Sequence, residues 1–236
     1  MSHSVLAQPA SRFYRDELRS RWLDLCIRLE VKGGIIHHTK MYDRLTHYYS
    51  HPGRHYHTLE HIHYCLKKFD EVKHLLSDPD AVELAIWFHD AIYEFWTQPN
   101  ENEQFSASLA IFFIHRLMGL SRTLASRVAY LIENTQYFQL GMSSAKTQDG
   151  KFTVDIDLSG FGDTWEVFQK NNKKVASEFE WMPECEYLDK SLRTMKMFRK
   201  REPFYLTDYF RERYQLQAYA NLDREIQRLE QMLKTA

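Results

Sequence analysis

Glycine and proline are scarce, with 8 and 6 residues in a chain of 236. That excludes the closely spaced turns of a β-sandwich or barrel, and the long stretches of Leu, Ala, Glu, Lys, Arg and Gln between them favour helices. The chain therefore reads as all-α. Cysteine is scarcer still: Cys26, Cys65 and Cys185 are far apart and never in a Cys-x-x-Cys pair. Neither a disulfide scaffold nor a zinc finger is expected, and a reducing cytoplasm suits these thiols. Excess charge is also missing, since 31 Lys plus Arg face 32 Asp plus Glu for a formal net charge of -1. Nucleic acid is not an expected partner, because counterion release needs a basic excess. The longest apolar run, Leu109 to Ile114, is far too short to span a membrane, and the first ten residues carry no basic region followed by an apolar stretch. The expectation is a cytoplasmic protein without membrane anchor or export signal.

What is present suffices for a packed core: 44% of residues are hydrophobic and 27% charged. The length suits one domain, residues 1–236, with a core at about 48–162 and a C-terminal helical elaboration at about 163–236. Apolar spacing of three and four predicts helices at Ser11–Val31, His38–Tyr49, Tyr56–Leu76 and Ala81–Phe95. Further helices are expected at Glu101–Met118, Arg122–Glu133, Gly162–Phe179, Glu184–Arg199 and Thr207–Leu233. The segment at Ala81–Phe95 is apolar on several sides and is the expected centre of the core. Gln139–Lys151, rich in Ser, Lys, Gln and Gly, reads as an exposed loop, either a lid or a connector.

Histidine carries the chemistry, because 8 of the 12 lie between His37 and His63. On a helix starting near Tyr56, His57 and His61 stand one turn apart on one face, so both rings can converge on an ion or a substrate. His89-Asp90 lies inside the apolar run AIWFHDAIYEF, where an imidazole and a carboxylate need partners, and a divalent cation satisfies both. Asp155-Ile156-Asp157-Leu158 offers a distant carboxylate, with helix capping by Asp157 or Asp163 as the alternative reading. Together these elements supply two nitrogen and two oxygen ligands with open positions for water and substrate.

With these residues in that order, the sequence resembles the HD superfamily of metal-dependent phosphohydrolases, whose signature runs His, His-Asp and a distant Asp on core helices. RHYHTLEHI at Arg54–Ile62, FHDAIYE at Phe88–Glu94, NEQFSA at Asn102–Ala107 and VDIDLSGFG at Val154–Gly162 are similar to a family of small bacterial HD proteins described as predicted phosphohydrolases. The match covers about 48–162. YHTLEHIHYC also resembles the start of the cyclic-nucleotide phosphodiesterase active site. The resemblance implies an HD-type helical bundle with His61, His89, Asp90 and Asp157 on one divalent ion (Mn, Co, Ni, Fe, Zn or Mg). It makes His57 the substrate contact and proton donor, with Asp155 the fallback for the last ligand. Only His115 lies between Asp90 and Asp157, so a di-iron oxygenase is disfavoured.

The expected activity is hydrolysis of a phosphate ester, a nucleotide or another small phosphorylated metabolite, by attack of metal-activated water. Asp90 and Glu94 complete the catalytic set with His57. Glu94, one turn after Asp90, either orients that water or is a solvent carboxylate at a helix end. Arg54 meets phosphate with two parallel hydrogen bonds or is a surface loop arginine. Glu103 is expected to brace the site through a His or Arg. Cys65 reads as core filler, and aromatics from Trp87 to Trp96 either wall a base-stacking pocket or pack the core. The competing class is an HD-fold protein that binds a nucleotide or partner without turnover. The helix from Thr207 is a candidate homodimer surface.

Overall fold

The computed structural model describes residues 9–95, 101–137 and 145–235, with side chains from Tyr14 onward. Among the described residues there are α-helices and no strand. They are α1 Pro9–Arg28, α2 Gly34–Tyr48, α3 Leu59–Val72, α4 Pro79–Phe88, α5 Glu101–Phe112, α6 Arg122–Glu133, α7 Gln148–Leu158, α8 Trp165–Ser177, α9 Glu184–Arg199 and α10 Asp208–Thr235. No helix of the described residues is long and apolar enough to cross a membrane.

Each site-bearing helix begins where a polar side chain meets its unpaired amides. Thr58 accepts from Glu60 N before α3, Asp78 accepts from Ala81 N before α4 with Pro79 in the first turn, and Thr147 accepts from Gly150 N before α7. The run that looked apolar on several sides is indeed central: every residue of α4 from Ala81 to Phe88 is buried, and α3, α5, α6 and α7 all pack on it. Trp22 of α1 meets Trp87 edge-on at 5.4 Å, also touching Phe88 and Phe113. The one carboxylate in this run, Glu83, is held by Arg21 Nε and Arg28 Nη2, both at 2.7 Å, which offsets the cost of burying it.

Two expectations fail here. The helix drawn to Phe95 ends at Phe88, because donors from elsewhere take up the carbonyls of its last turn and of the chain beyond. Tyr49 Oη donates to Trp87 O, and Arg54 donates to Asp90 O and Ala91 O. Ser106 bonds both backbone groups of Ile92, while Asn102 bonds both of Glu94, so residues 92–94 lie along α5 instead of coiling. The second failure concerns Gln139–Lys151. Residues 138–144 lie outside the described residues, but Gln148 onward is helix, and Asp149 and Gly150 are buried. Asp149 accepts from Ser77 N and Asp78 N, pinning α7 beneath the start of α4, so its polar first turn faces protein rather than water.

The turn at Ser159–Gly162 carries the C-terminal helices. Asn221 of α10 donates to Phe161 O and Asp163 O, both at 2.8 Å. A Cβ at Gly162 would come within 2.9 Å of Tyr214 O, so only glycine allows α10 to approach this closely.

Candidate metal centre

Three helices bring four of the predicted side chains together. His61 comes from the second residue pair of α3, His89 and Asp90 from the end of α4, and Asp157 from the last turn of α7. His61 Nε2 lies 3.2 Å from His89 Nε2 and 3.0 Å from Asp157 Oδ1. Asp90 Oδ2 lies 3.1 Å from His89 Nε2 and 3.6 Å from His61 Nε2, and Asp157 Oδ1 lies 3.4 Å from His89 Nε2. Donors set about 2.1 Å from one ion stand roughly 3.0–3.4 Å apart, a spacing that the His61, His89 and Asp157 atoms meet among themselves, while Asp90 meets it only from His89. Both imidazoles are 3% exposed, against 15% and 17% for the Asp90 and Asp157 side chains, so the cluster opens to solvent on its carboxylate side.

The surroundings orient the donors. His89 Nδ1–H donates to Ile86 O at 2.9 Å, which turns Nε2 towards the cluster. Tyr137 Oη donates to Asp157 Oδ2 at 2.7 Å, so Oδ1 is the oxygen turned to the histidines. Burial works against every charge here. It pushes Asp90 and Asp157 up, yet the His89 charge and the imidazole hydrogen bonds outweigh it and hold both carboxylates well below their usual range. It pushes His89 down, and Asp90 and Asp157 hold it well above its ordinary value. Two partly buried, ionised carboxylates facing two imidazole nitrogens form a site that seeks positive charge, and the donor set suits Mn, Fe, Co, Ni or Zn. Cys65 Sγ lies 3.6 Å from His61 Nε2, but burial, with Asp157 and Asp90, pushes the thiol well above its ordinary value, in keeping with neutral packing.

His57 is near this cluster for a reason the spacing did not give. It precedes α3 instead of lying on it, so the one-turn argument does not apply, yet its ring centroid is 6.2 Å from that of His61. Glu178, at the C-terminal end of α8, places it. Glu178 Oε2 accepts from His57 Nδ1 at 2.6 Å, while Oε1 accepts the successive amides of His55, Tyr56 and His57 at 2.8–2.9 Å. Tyr93 stacks on the other side of the imidazole at 3.7 Å. Burial lowers His57, but the charges of Glu178 and Asp90 and the Glu178 bond outweigh it, so its pKa is raised. Burial raises Glu178, and the His57 charge and hydrogen bonds bring it below the usual value.

Sequence reasoning missed Glu178 and Tyr137. The available signal for Glu178 was a carboxylate at the negative end of a helix, an unfavourable place that calls for partners elsewhere.

The remaining predicted residues have other placements. Arg54 is 8% exposed, with Nη1 donating to Asp90 O at 2.7 Å and to His57 O at 3.3 Å, and Nη2 donating to Ala91 O at 3.0 Å. Its fork already fits backbone carbonyls, so the phosphate-binding expectation is corrected: Arg54 ties the end of α4 to the entrance of α3. Arg54→Ala is expected to lower stability by about 2 kcal/mol and to weaken ion binding about tenfold. Chemical denaturation and an ion titration check this, and a variant affected only in KM would restore the phosphate role. Glu94 is exposed and beyond the end of α4, so it is not one turn after Asp90 and does not join the cluster.

Asp155 and Asp157 differ in helix phase, since residues two apart on α7 face nearly opposite ways, and of the two it is Asp157 that stands with the histidines. Asp155 is fully buried and accepts from Leu206 N, Thr207 N and Thr207 Oγ1 at 2.7–2.8 Å. Burial pushes it up to about 6 despite those donors.

Fold and site together define an all-α protein with a buried His-Asp cluster of metal-ligand composition. No protein-family model matches the chain, and neither a curated protein nor a solved structure matches it.

Proposed function

We propose that the protein is a metal-dependent phosphohydrolase of the HD type, acting on a nucleotide or another small phosphate ester. The observation that carries this reading is the convergence of His61, His89, Asp90 and Asp157 nitrogen and oxygen donors within 3.6 Å of a histidine nitrogen, beside a carboxylate-paired His57. A bound divalent ion supplies a water of lowered pKa and a Lewis acid for the phosphoryl oxygen. The chain's own residues do the rest. His61 and His89 present Nε2, with Asp90 and Asp157 balancing the charge. His57, held by Glu178 through Nδ1, gives the Nε2 proton to the leaving oxygen as the ester bond breaks. Tyr93 and Glu178 keep that ring in one orientation.

The test is ion content per chain after purification without chelators, for the unaltered protein, His61→Ala and Asp157→Ala. About one equivalent in the first and near none in both variants is expected, followed by a screen of phosphomonoesters and diesters. Equal content in all three, or none in the folded unaltered protein offered Mn, Co, Ni and Zn, sinks the reading. One equivalent with no turnover of any phosphate ester leaves a binding protein.

A further inference from the structure

At the first turn of α5, Glu103 Oε2 is buried without a hydrogen-bond partner, so no His or Arg braces it there, contrary to the sequence expectation. The other end of α5 carries a groove of different chemistry. Ser108, Ile111, Phe112, His115 and Arg116 recur at three- and four-residue steps along α5 and the wide turn that follows it, and they line one side of a cavity of about 430 Å³. Arg122 and Ser126, one turn apart at the start of α6, line the other side. None of these residues belongs to the His-Asp cluster.

Backbone bonds fix the α5 side. Met118 N donates to Phe113 O at 2.9 Å, five residues back, and Leu120 N donates to Ile114 O at 3.1 Å. His115 is held through Nδ1, which donates to Leu120 O at 3.0 Å, and Leu117 O accepts from His37 Nε2 at 3.1 Å. Phe113 and Ile114 are buried beneath, so the chain that presents His115 and Arg116 is anchored on the core. The lining combines two features. Phe112 is 51% exposed and Ile111 38%, which offers an apolar floor, and both arginines are exposed beside it. Arg21, Arg28, Arg199 and Arg228 each face a carboxylate. Among the described residues Arg116 and Arg122 face none, and no carboxylate lines the groove. Two guanidinium groups at one cavity form a positive site without a counter-charge, and a cavity of this volume is of small-molecule size.

We propose that this groove binds a small organic phosphate, with its phosphate oxygens on Arg116 and Arg122 and its apolar body against Ile111 and Phe112. The guanidinium fork matches paired phosphate oxygens, and the Ser108 and Ser126 hydroxyls lie in the same lining as further donors. The proposal does not depend on the phosphohydrolase reading, because it uses no residue of the cluster.

Phenylphosphonate, whose carbon–phosphorus bond resists hydrolysis, is titrated calorimetrically into the full chain at low salt, with inorganic phosphate and benzyl alcohol as its two halves. The unaltered protein, Arg116→Ala, Arg122→Ala and His61→Ala are compared, with melting temperatures read alongside. The expected result is binding at least about tenfold tighter than either half, weakened about tenfold in each arginine variant at unchanged melting temperature, and kept in His61→Ala. No binding by the unaltered protein, or binding that survives both arginine substitutions, overturns the proposal. Binding lost in His61→Ala also overturns it, since the phosphonate then sits at the His-Asp cluster. Equal affinity for inorganic phosphate overturns it as well, because Ile111 and Phe112 then contribute nothing.

Discussion

Glu178→Gln is expected to lower turnover about 100- to 1,000-fold while ion content stays near that of the unaltered protein. Glutamine keeps an oxygen for the amides of His55, Tyr56 and His57, which Glu178 Oε1 now holds at 2.8–2.9 Å. It removes the charge that faces His57 Nδ1 at 2.6 Å and raises the imidazole pKa. A weaker hold on the proton means that His57 is in its acid form only at lower pH, so the basic limb of the kcat/KM profile moves down. Stability supplies an independent reading with a definite sign. The raised His57 stabilises the fold below the ordinary histidine value and loses that contribution as pH rises through its folded value. The lowered Glu178 stabilises above the ordinary glutamate value and loses it as pH falls. The stability gap between the unaltered protein and Glu178→Gln is therefore widest at about pH 4.5 to 6.5 and narrows on both sides. An unmoved basic limb with an intact fold would remove His57 from the proton-donor role.

Asp155→Ala is expected to cost about 3–5 kcal/mol in chemical denaturation, the largest stability effect of any substitution considered. The carboxylate is fully buried and takes three donors from Leu206 and Thr207, immediately before α10 begins at Asp208. It thus serves the unpaired amides at the start of a 28-residue helix and lies within electrostatic reach of the buried Arg201. Alanine leaves those donors without an acceptor in a dry interior. The folded fraction of the variant should still bind one ion, since Asp155 faces away from the cluster. Loss of ion with unchanged stability would instead make Asp155 the ligand and Asp157 the structural residue.

The parts legible in the sequence were those whose meaning is local. The apolar run of α4 announced a central helix, and a His-Asp pair inside it demanded partners wherever they came from. Ambiguity began where helix phase was needed. Asp155 and Asp157 cannot be told apart without knowing that α7 starts at Gln148, and the polar letters QDGK that open it look like loop until Ser77 and Asp78 are seen beneath them. Arg54 and Glu178 were illegible for a different reason. The carbonyls that take up Arg54 lie 36 and 37 residues away, and His57 lies 121 residues from Glu178. No periodicity along the chain encodes such pairings.

The two aspartates of α7 also make that helix a lever. One face of its last turns reaches the cluster and the opposite face anchors the start of α10, so an opening that shifts α7 disturbs both. An ion supplied at a hundred times its dissociation constant adds about 2.7 kcal/mol against any such opening. Residues 163–235 place no side chain in the His61, His89 and Asp157 group, yet on the proposed reading protease nicking there should slow as the divalent-ion concentration rises, and chelation should speed it.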